Sequence, residues 1–336
     1  MVYLEKQPIR LTTAEISALW TTYIESSAMR CFYLHFIAHI QDQEIRPIIE
    51  EAEEFTNMIM NEMENIFREE EFPIPIGFTN KDIDLTAPAL YSDLFALSFV
   101  YRGGQMIIKY YATILSKVAR QDVYELIEKC LIQKTSTYKK SLNLMLSKGI
   151  YDRPPHINPQ KQAELMKSEP TLMNIWFGDS RPLNALEISE LFFSIERNCI
   201  GLVLIIGLLQ VSNDKEVKKY LIKGKKLCQK QIEVFNGFIK ENDQFPTYPV
   251  TLEVTDSSTS PFSEKLILFI ITSSNQIGLK SLSDALSVSM RHDLALKYTL
   301  FIGDIMKFGG EGLKLMIQRG WMEQPPESID RKKLYE

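Results

Sequence analysis

Residues 12–19 read Thr-Thr-Ala-Glu-Ile-Ser-Ala-Leu, and residues 184–191 read Asn-Ala-Leu-Glu-Ile-Ser-Glu-Leu. In both segments an N-cap residue, Thr12 or Asn184, precedes a glutamate by three positions, which is the capping box that begins many α-helices. Apolar residues then follow at the spacing of one helical face. The two segments therefore predict equivalent amphipathic helices at two places in the chain.

Further matches follow in the same order along the chain. A Phe-Pro pair, an Arg-x-Asp triplet, a Leu-x-Leu-Met segment and a Pro-Pro pair all recur at displacements of 171 to 173 residues. A repeat of this length indicates a duplicated domain, because solenoid repeats have periods of about 20 to 50 residues. We predict unit one at residues 8–155, a linker at 156–181 and unit two at 182–326. The total length of 336 residues fits two domains.

Each unit is predicted to contain four long helices. The second and third are separated by a proline-rich stretch, residues 71–91 in unit one, whereas the other connections are short. Asp122 and Glu125 are predicted to cap the fourth helix of unit one. One long crossover between helices two and three is typical of ferritin-like bundles. The sequence thus predicts an all-α fold of two tandem ferritin-like, up-down four-helix bundles, with one mixed eight-helix bundle as the alternative.

The charge of the chain is divided unequally between the two units. The net charge of −5 argues against a nucleic-acid binder, because such proteins carry a basic surface. Residues 42–71 contain eleven acids and two arginines, whereas the matching residues 214–243 contain eight lysines and five acids. These faces are either simply solvated or complementary, within one chain or between the chains of a homo-oligomer.

A di-iron centre is not predicted. Such bundles use Glu-x-x-His motifs, and none of the four histidines lies three residues after a glutamate. Unit one does hold weak candidates for another metal site in His35 and His39, at i and i+4, and in Glu51 and Glu54. Unit two has lysine, glycine and valine at the equivalent positions. We therefore predict no metal or other cofactor, and keep a site confined to unit one as the alternative.

One polar pattern recurs in both units. Gln105 and Lys109 match Gln276 and Lys280 at a displacement of 171 residues, and each pair shares a face of the predicted third helix. This pattern indicates either a solvated helix face or a polar binding face that both units use. Ala substitution at all four positions distinguishes the two.

Signatures of catalysis and of export are scarce. The sequence contains no nucleophile elbow, phosphate-binding loop or zinc-protease motif, so we predict that the protein is not an enzyme. The longest apolar run, residues 199–209, is too short for a membrane span. The beginning of the sequence does not resemble a secretory signal, and the four cysteines form no metal or disulfide pattern. We expect a cytoplasmic protein.

Several segments together resemble a known family. They are Glu-Ile-Arg-Pro at 44–47, Phe-Pro-Ile-Pro-Ile-Gly-Phe at 72–78, Leu-Ser-Lys-Gly at 146–149 and Trp-Phe-Gly-Asp-Ser-Arg-Pro-Leu-Asn at 176–184. The chain resembles a family of unknown function from spore-forming Gram-positive bacteria, which has tandem ferritin-like bundles and is distantly similar to the spore coat protein F group.

That resemblance has consequences for function. It implies a structural or interaction role in the spore coat or in sporulation, with spore coat components as protein partners. The alternative is a metal- or small-ligand-binding protein that uses the bundle core of unit one. Residues 173–177 are a candidate apolar docking patch, unless they pack on the chain's own bundles.

Overall fold

The computed structural model describes residues 9–163, 165, 181–241 and 253–335. The helices of unit one are α1 (Thr13–His39), α2 (Arg46–Glu69), α3 (Asp93–Leu115) and α4 (Gln121–Ser147). Those of unit two are α5 (Ala185–Val211), α6 (Lys215–Glu241), α7 (Glu264–Val288) and α8 (His292–Gln318). The prediction of an all-α fold with two tandem four-helix bundles is confirmed. Most of the predicted linker, with the patch at 173–177, lies outside the described residues.

Each bundle is built in the same way. The first helix packs along the second and the third along the fourth, and contacts of α2 with α4 and of α6 with α8 close the bundles. Each bundle also has an apolar cluster formed only by side chains of its own unit. In unit one these include Met63, Phe67 and Tyr111, and in unit two Phe235 and Tyr298. Burial of such side chains supplies the main stabilisation of the bundles.

The two helix starts that the repeat predicts are present. Thr12 and Glu15 form a complete capping box at α1, and Asn184 and Glu187 form another at α5. The predicted capping pair at the fourth helix is wrong. α4 begins two residues earlier, with Arg120 as its N-cap, and Asp122 instead accepts hydrogen bonds from the Arg120 guanidinium at 2.8 and 2.6 Å.

A third apolar cluster lies where the two units meet. It combines side chains from α1 and α3 with side chains from α5 and α7. The rings of Phe32 and Phe262 are 4.3 Å apart, and those of Phe78 and Phe269 are 4.8 Å apart. Because both units contribute side chains to this cluster, the two bundles pack against each other through a shared apolar contact.

α5 is long and strongly apolar. By length and composition, α5 passes the test for a membrane-crossing helix, alone among the described residues. Most of its apolar window, 61%, is buried against the rest of the chain. Core helices of water-soluble bundles pass the same test, and α5 carries Glu187, Glu196 and Arg197 within its length.

Candidate functional site

The junction between the units begins with the two crossovers. Antiparallel bridges pair Ile83 with Phe262 and Tyr91 with Val254. Backbone hydrogen bonds support both bridges, among them Ser263 N to Asp82 O at 3.0 Å and Thr255 N to Leu90 O at 3.0 Å. The proline-rich connections predicted as loops are therefore a main element of the contact between the units.

A buried ion pair crosses the junction beside this contact. Arg102 of α3 meets Glu196 of α5, and the two residues are only 7% and 2% exposed. Burial raises the pKa of Glu196, and Arg102 opposes that shift. The Arg102 Nε and Nη1 atoms have no hydrogen-bond partner in the described part of the chain. A pair so far from water is part of the packing between the units.

A second carboxylate occupies the other side of the junction. Glu25 of α1 lies near Ser273 of α7 and near Lys280. Burial raises the pKa of Glu25 to about 7, and both partners act against that rise. Because α1 meets α7 here while α3 meets α5 at Arg102, the two contacts are related by the internal repeat.

The four residues of the predicted polar face, Gln105, Lys109, Gln276 and Lys280, lie in different surroundings at the junction. Lys109 Nζ lies 3.1 Å from an oxygen of Asp284 in unit two, and Lys280 Nζ lies 5.4 Å from the ring centre of Tyr110 in unit one. Gln105 turns back and donates to Tyr101 Oη at 3.1 Å, while Gln276 is exposed. The two lysines thus bridge the units, and the four residues do not form one common face.

His35 is placed unfavourably for metal binding. Its Nε2 accepts a hydrogen bond from the Leu90 backbone N–H at 3.2 Å, so in the neutral ring the proton lies on Nδ1. With one nitrogen accepting and the other protonated, the neutral imidazole has no free lone pair for a metal. Burial lowers the pKa of His35 to about 3, and nearby His39 adds to the effect. The ring also packs against Phe262 of unit two, 5.2 Å between centres.

The candidate glutamates do not join the histidines. Glu51 accepts from Gln133 at 2.6 Å and pairs with Lys140 at 2.5 Å, both on α4, and Glu54 is exposed. Within residues 9–163, 181–241 and 253–335, no group of three or more His, Cys, Asp or Glu side chains is arranged to hold a metal ion.

The opposite charges of α2 and α6 are used inside their own units. Glu62 of α2 pairs with Lys129 of α4, while Lys223 and Lys230 of α6 pair with Glu311 and Asp304 of α8. Among the described residues, no ion pair joins α2 to α6. Complementarity within the chain therefore has no contact to support it, and complementarity between chains stays a hypothesis.

Glu15 and Glu187 make hydrogen bonds beyond the capping boxes that the sequence predicts. Besides closing its capping box, Glu15 accepts from the backbone N–H groups of Ala119 and Arg120 at 3.1 and 2.7 Å. Glu187 accepts from Met290 and Arg291 in the same way, both at 2.9 Å. Each carboxylate therefore ties the beginning of the first helix to the beginning of the fourth. The recurrence of both glutamates was visible, but their partners some 104 residues away were not.

A carboxylate near the end of unit two forms another contact between the units that the sequence does not predict. Glu323, beyond the end of α8, accepts hydrogen bonds from the backbone N–H groups of Ile76 and Gly77 at 2.7 and 2.6 Å. Gly77 has a positive φ of 59° and lies against Ser27. The contact joins the last segment of unit two to the crossover of unit one.

Comparison with known proteins gives the family. A family model described as "Protein of unknown function (DUF3231)" matches residues 1–163 and again residues 172–334. The chain belongs to this family. The double match confirms the duplication, and the family assigns no activity. No curated protein is similar to this chain.

One solved structure is similar to part of the chain. It is described as the crystal structure of a "putative spore coat protein" from Bacillus halodurans. The match has 22% sequence identity and a TM-score of 0.40, and it covers 45% of this chain and 98% of that one.

Proposed function

We propose that this member of the family is a non-catalytic structural protein that acts through contacts with other proteins, in the spore coat or in sporulating cells. The observation that carries the proposal is the use of polar groups at the junction. Four charged side chains of the junction, those of Arg102, Glu196, Lys109 and Lys280, face the other unit and contact its residues. A pair of bundles whose charged junction residues are directed at each other is suited to a scaffold.

The link to spores rests on the sequence segments that resemble spore-associated proteins. They imply association with the spore and coat proteins as partners, and we propose that the chain is present in the cytoplasm before it joins the spore. The alternative of a metal or small-ligand site in unit one is not supported by the position of His35, whose Nε2 already accepts the Leu90 N–H. We therefore propose the structural role alone.

The proposal is tested in spores of the source organism. A chromosomal epitope fusion is followed by immunoblotting of vegetative cells, sporulating cells and extracted coats from washed spores. We expect the full-length chain to increase during sporulation and to be recovered with the coat fraction. Recovery only from vegetative cells, with none in washed spores, would contradict the spore association.

The non-catalytic, metal-free part of the proposal has its own measurement. The untagged protein is purified without chelator and analysed for iron, zinc and manganese. We expect well below about one tenth of an equivalent of each metal, and the same thermal stability with and without added chelator. One equivalent of a metal that is lost in a His35→Gln variant would establish the alternative.

A further inference from the structure

An apolar stripe runs along the outer face of α8. Its side chains are exposed by 41 to 62%, and they are Leu296, Leu300, Met306, Leu313 and Ile317. Gly303 and Gly310 lie in the same stripe, and a Cβ at either position would meet no atom within 4 Å. We call these seven residues the α8 stripe. They recur every three or four positions, which is the spacing of one face of a helix.

The stripe is additional to the face that stabilises the bundle. α8 buries a different set of side chains in its own unit, including Leu294, Tyr298, Phe301 and Ile305. The α8 stripe lies on the opposite side of the helix and extends over 21 residue steps, or about 32 Å. A row of five exposed apolar side chains along one helical face is typical of an interaction site.

Unit one provides an internal comparison. At the positions of α4 that match Leu296, Leu300, Met306 and Gly310, the repeat has Glu125, Lys129, Thr135 and Lys139. The other three matching positions carry Ile132, Leu142 and Leu146, so the outer face of α4 is partly apolar and has four polar residues among the seven. The apolar side chains at 296, 300 and 306 are therefore not a requirement of the bundle, and they distinguish unit two from unit one.

Lysines border the stripe on the side of α6. Lys307 and Lys314 are exposed on α8, and neither forms an ion pair within the described part of the chain. The next helix adds an exposed row of lysines at i, i+4, i+7 and i+11, namely Lys219, Lys223, Lys226 and Lys230. Only two of that row, Lys223 and Lys230, have a carboxylate partner on α8. This edge of the stripe is consequently positive.

We propose that the α8 stripe binds an amphipathic α-helix of another protein, whose apolar face covers the stripe and whose acidic edge meets these lysines. A helix fits because its side chains interdigitate with residues spaced by three and four, and the glycines let its backbone come close. Carboxylates fit because Lys226 and Lys314 form no ion pair among the described residues, and Lys219 and Lys307 share the single carboxylate of Glu311 with Lys223.

A second copy of this chain matches the surface less well. In an antiparallel pair of α8 helices the same edges meet, so the unpaired lysines of the two copies would face one another. The acidic α2 of another copy lacks an apolar face to offer, because residues such as Phe55, Ile59 and Met63 are buried in its own bundle. The partner is therefore expected to be a different chain.

The test uses two synthetic probes and the full-length protein. Both probes are fluorescein-labelled helical peptides of about 24 residues with leucine at the seam positions. One carries glutamate along one edge and the other carries lysine there. Binding is followed by fluorescence anisotropy. We expect the acidic peptide to bind at least about tenfold more tightly than the basic one, and its affinity to fall as salt rises from about 50 to about 500 mM.

Three variants locate the binding. Leu300→Glu is expected to weaken binding of the acidic peptide by about tenfold or more. The double variant Lys307→Glu/Lys314→Glu is expected to reverse the preference towards the basic peptide. Ile132→Glu, at the exposed position of unit one that matches Gly303, is the matched control and is expected to change nothing. Circular dichroism melting curves show that each variant remains folded.

Several results would overturn the proposal. These are equal affinity for the two peptides, no binding of either, or insensitivity to Leu300→Glu. A reversible dimer that Leu300→Glu abolishes would identify a second copy as the occupant, and sedimentation with phosphatidylglycerol vesicles that Leu300→Glu abolishes would identify a lipid surface. Binding of a helix to the α8 stripe rests on the proposed interaction role, but different experiments contradict the spore role and the helix binding. Absence of the wild-type chain from spores contradicts the spore role while leaving peptide binding intact.

Discussion

Arg102 of unit one and Glu196 of unit two form an ion pair whose side chains are only 9% and 3% exposed. Burying two charges costs several kcal/mol per ion, which only their mutual attraction and surrounding hydrogen bonds offset. The pair therefore contributes little net stability while both members are present. Either member alone is strongly unfavourable, so the junction depends on their being matched.

Arg102→Ala is expected to destabilise the protein by about 3–5 kcal/mol, because it leaves Glu196 buried without its counter-ion. The double variant Arg102→Met/Glu196→Leu is expected to recover most of that loss. The free energy of unfolding is measured by urea denaturation followed by circular dichroism.

The exposed pair at the same junction is the control for this experiment. Lys109 and Asp284 are 68% and 55% exposed, so Lys109→Ala is expected to cost less than about 1 kcal/mol. An equally large effect of Lys109→Ala and Arg102→Ala would contradict the role given to burial.

Glu15→Ala and Glu187→Ala are each expected to cost about 3 kcal/mol, because each carboxylate accepts backbone hydrogen bonds at the beginnings of two helices. These hydrogen bonds hold the pKa of Glu15 down at about 2 although burial acts to raise it. Since the pKa in the folded state is below the ordinary value of 4.5, the stabilisation is present above pH 4.5 and is lost as the pH falls towards 2.

Melting temperatures of these variants at pH 7 give the measurement, and Glu54→Ala on the exposed face of α2 is the control. Because the two carboxylates occupy equivalent places in the two units, the losses of stability are expected to be similar. Because they share no partner, the losses are expected to add in the double variant. A loss confined to one unit would show that the repeat has not preserved the interaction.

Acid is expected to destabilise the protein through His35. Burial lowers the pKa of His35 from the ordinary value of 6.5 to about 3, so between these values the unfolded chain binds a proton that the folded chain does not. Stability from this residue is complete above pH 6.5 and declines as the pH falls. At pH 4 the loss is about 3 kcal/mol.

His35→Gln isolates this contribution, because an amide oxygen can accept the Leu90 N–H without titrating. The difference in unfolding free energy between pH 7 and pH 4 is expected to be smaller in this variant by about the same 3 kcal/mol. His156→Gln, at an exposed histidine, is expected to leave that difference unchanged. An identical pH dependence in both variants would show that His35 is not the titrating group.

Gly77→Ala is expected to be more destabilising than Gly149→Ala, although both residues have a positive φ, of 59° and 67°. The backbone penalty of about 1–2 kcal/mol is common to both. At Gly77 an added Cβ would also lie 2.5 Å from Ser27 Oγ, whereas at Gly149 it would meet nothing within 4 Å. Urea denaturation of the two variants measures the difference, and equal losses would mean that Ser27 moves aside freely.

Local interactions explain which features could be predicted from the sequence. The capping boxes at Thr12 and Asn184 involve residues three positions apart, and the apolar spacing lies within single helices. Both therefore appear in the sequence, and the repeat made them visible twice. The capping pair predicted at Asp122 failed because a distant carboxylate, that of Glu15, satisfies the start of α4.

The candidate sites were harder to predict for the same reason. The repeat correctly relates Gln105 and Lys109 to Gln276 and Lys280. A repeat does not show, however, whether the two copies of a helix face are directed to solvent or to each other. His35 at i, i+4 from His39 has the spacing of a metal site, and only the approach of the Leu90 backbone shows that its Nε2 is already used. Docking of the two units supplies the missing information.

The duplication, the four long helices in each unit and the long connection between helices two and three are predictable from the sequence, because each rests on short-range periodicity and on turn-forming residues. Three features are visible only in the tertiary structure: the crossovers pair with one another, Arg102 meets Glu196, and the described residues leave the outer face of α8 exposed. These features join residues far apart along the chain. They depend on how the two bundles pack, which no local pattern of residues specifies.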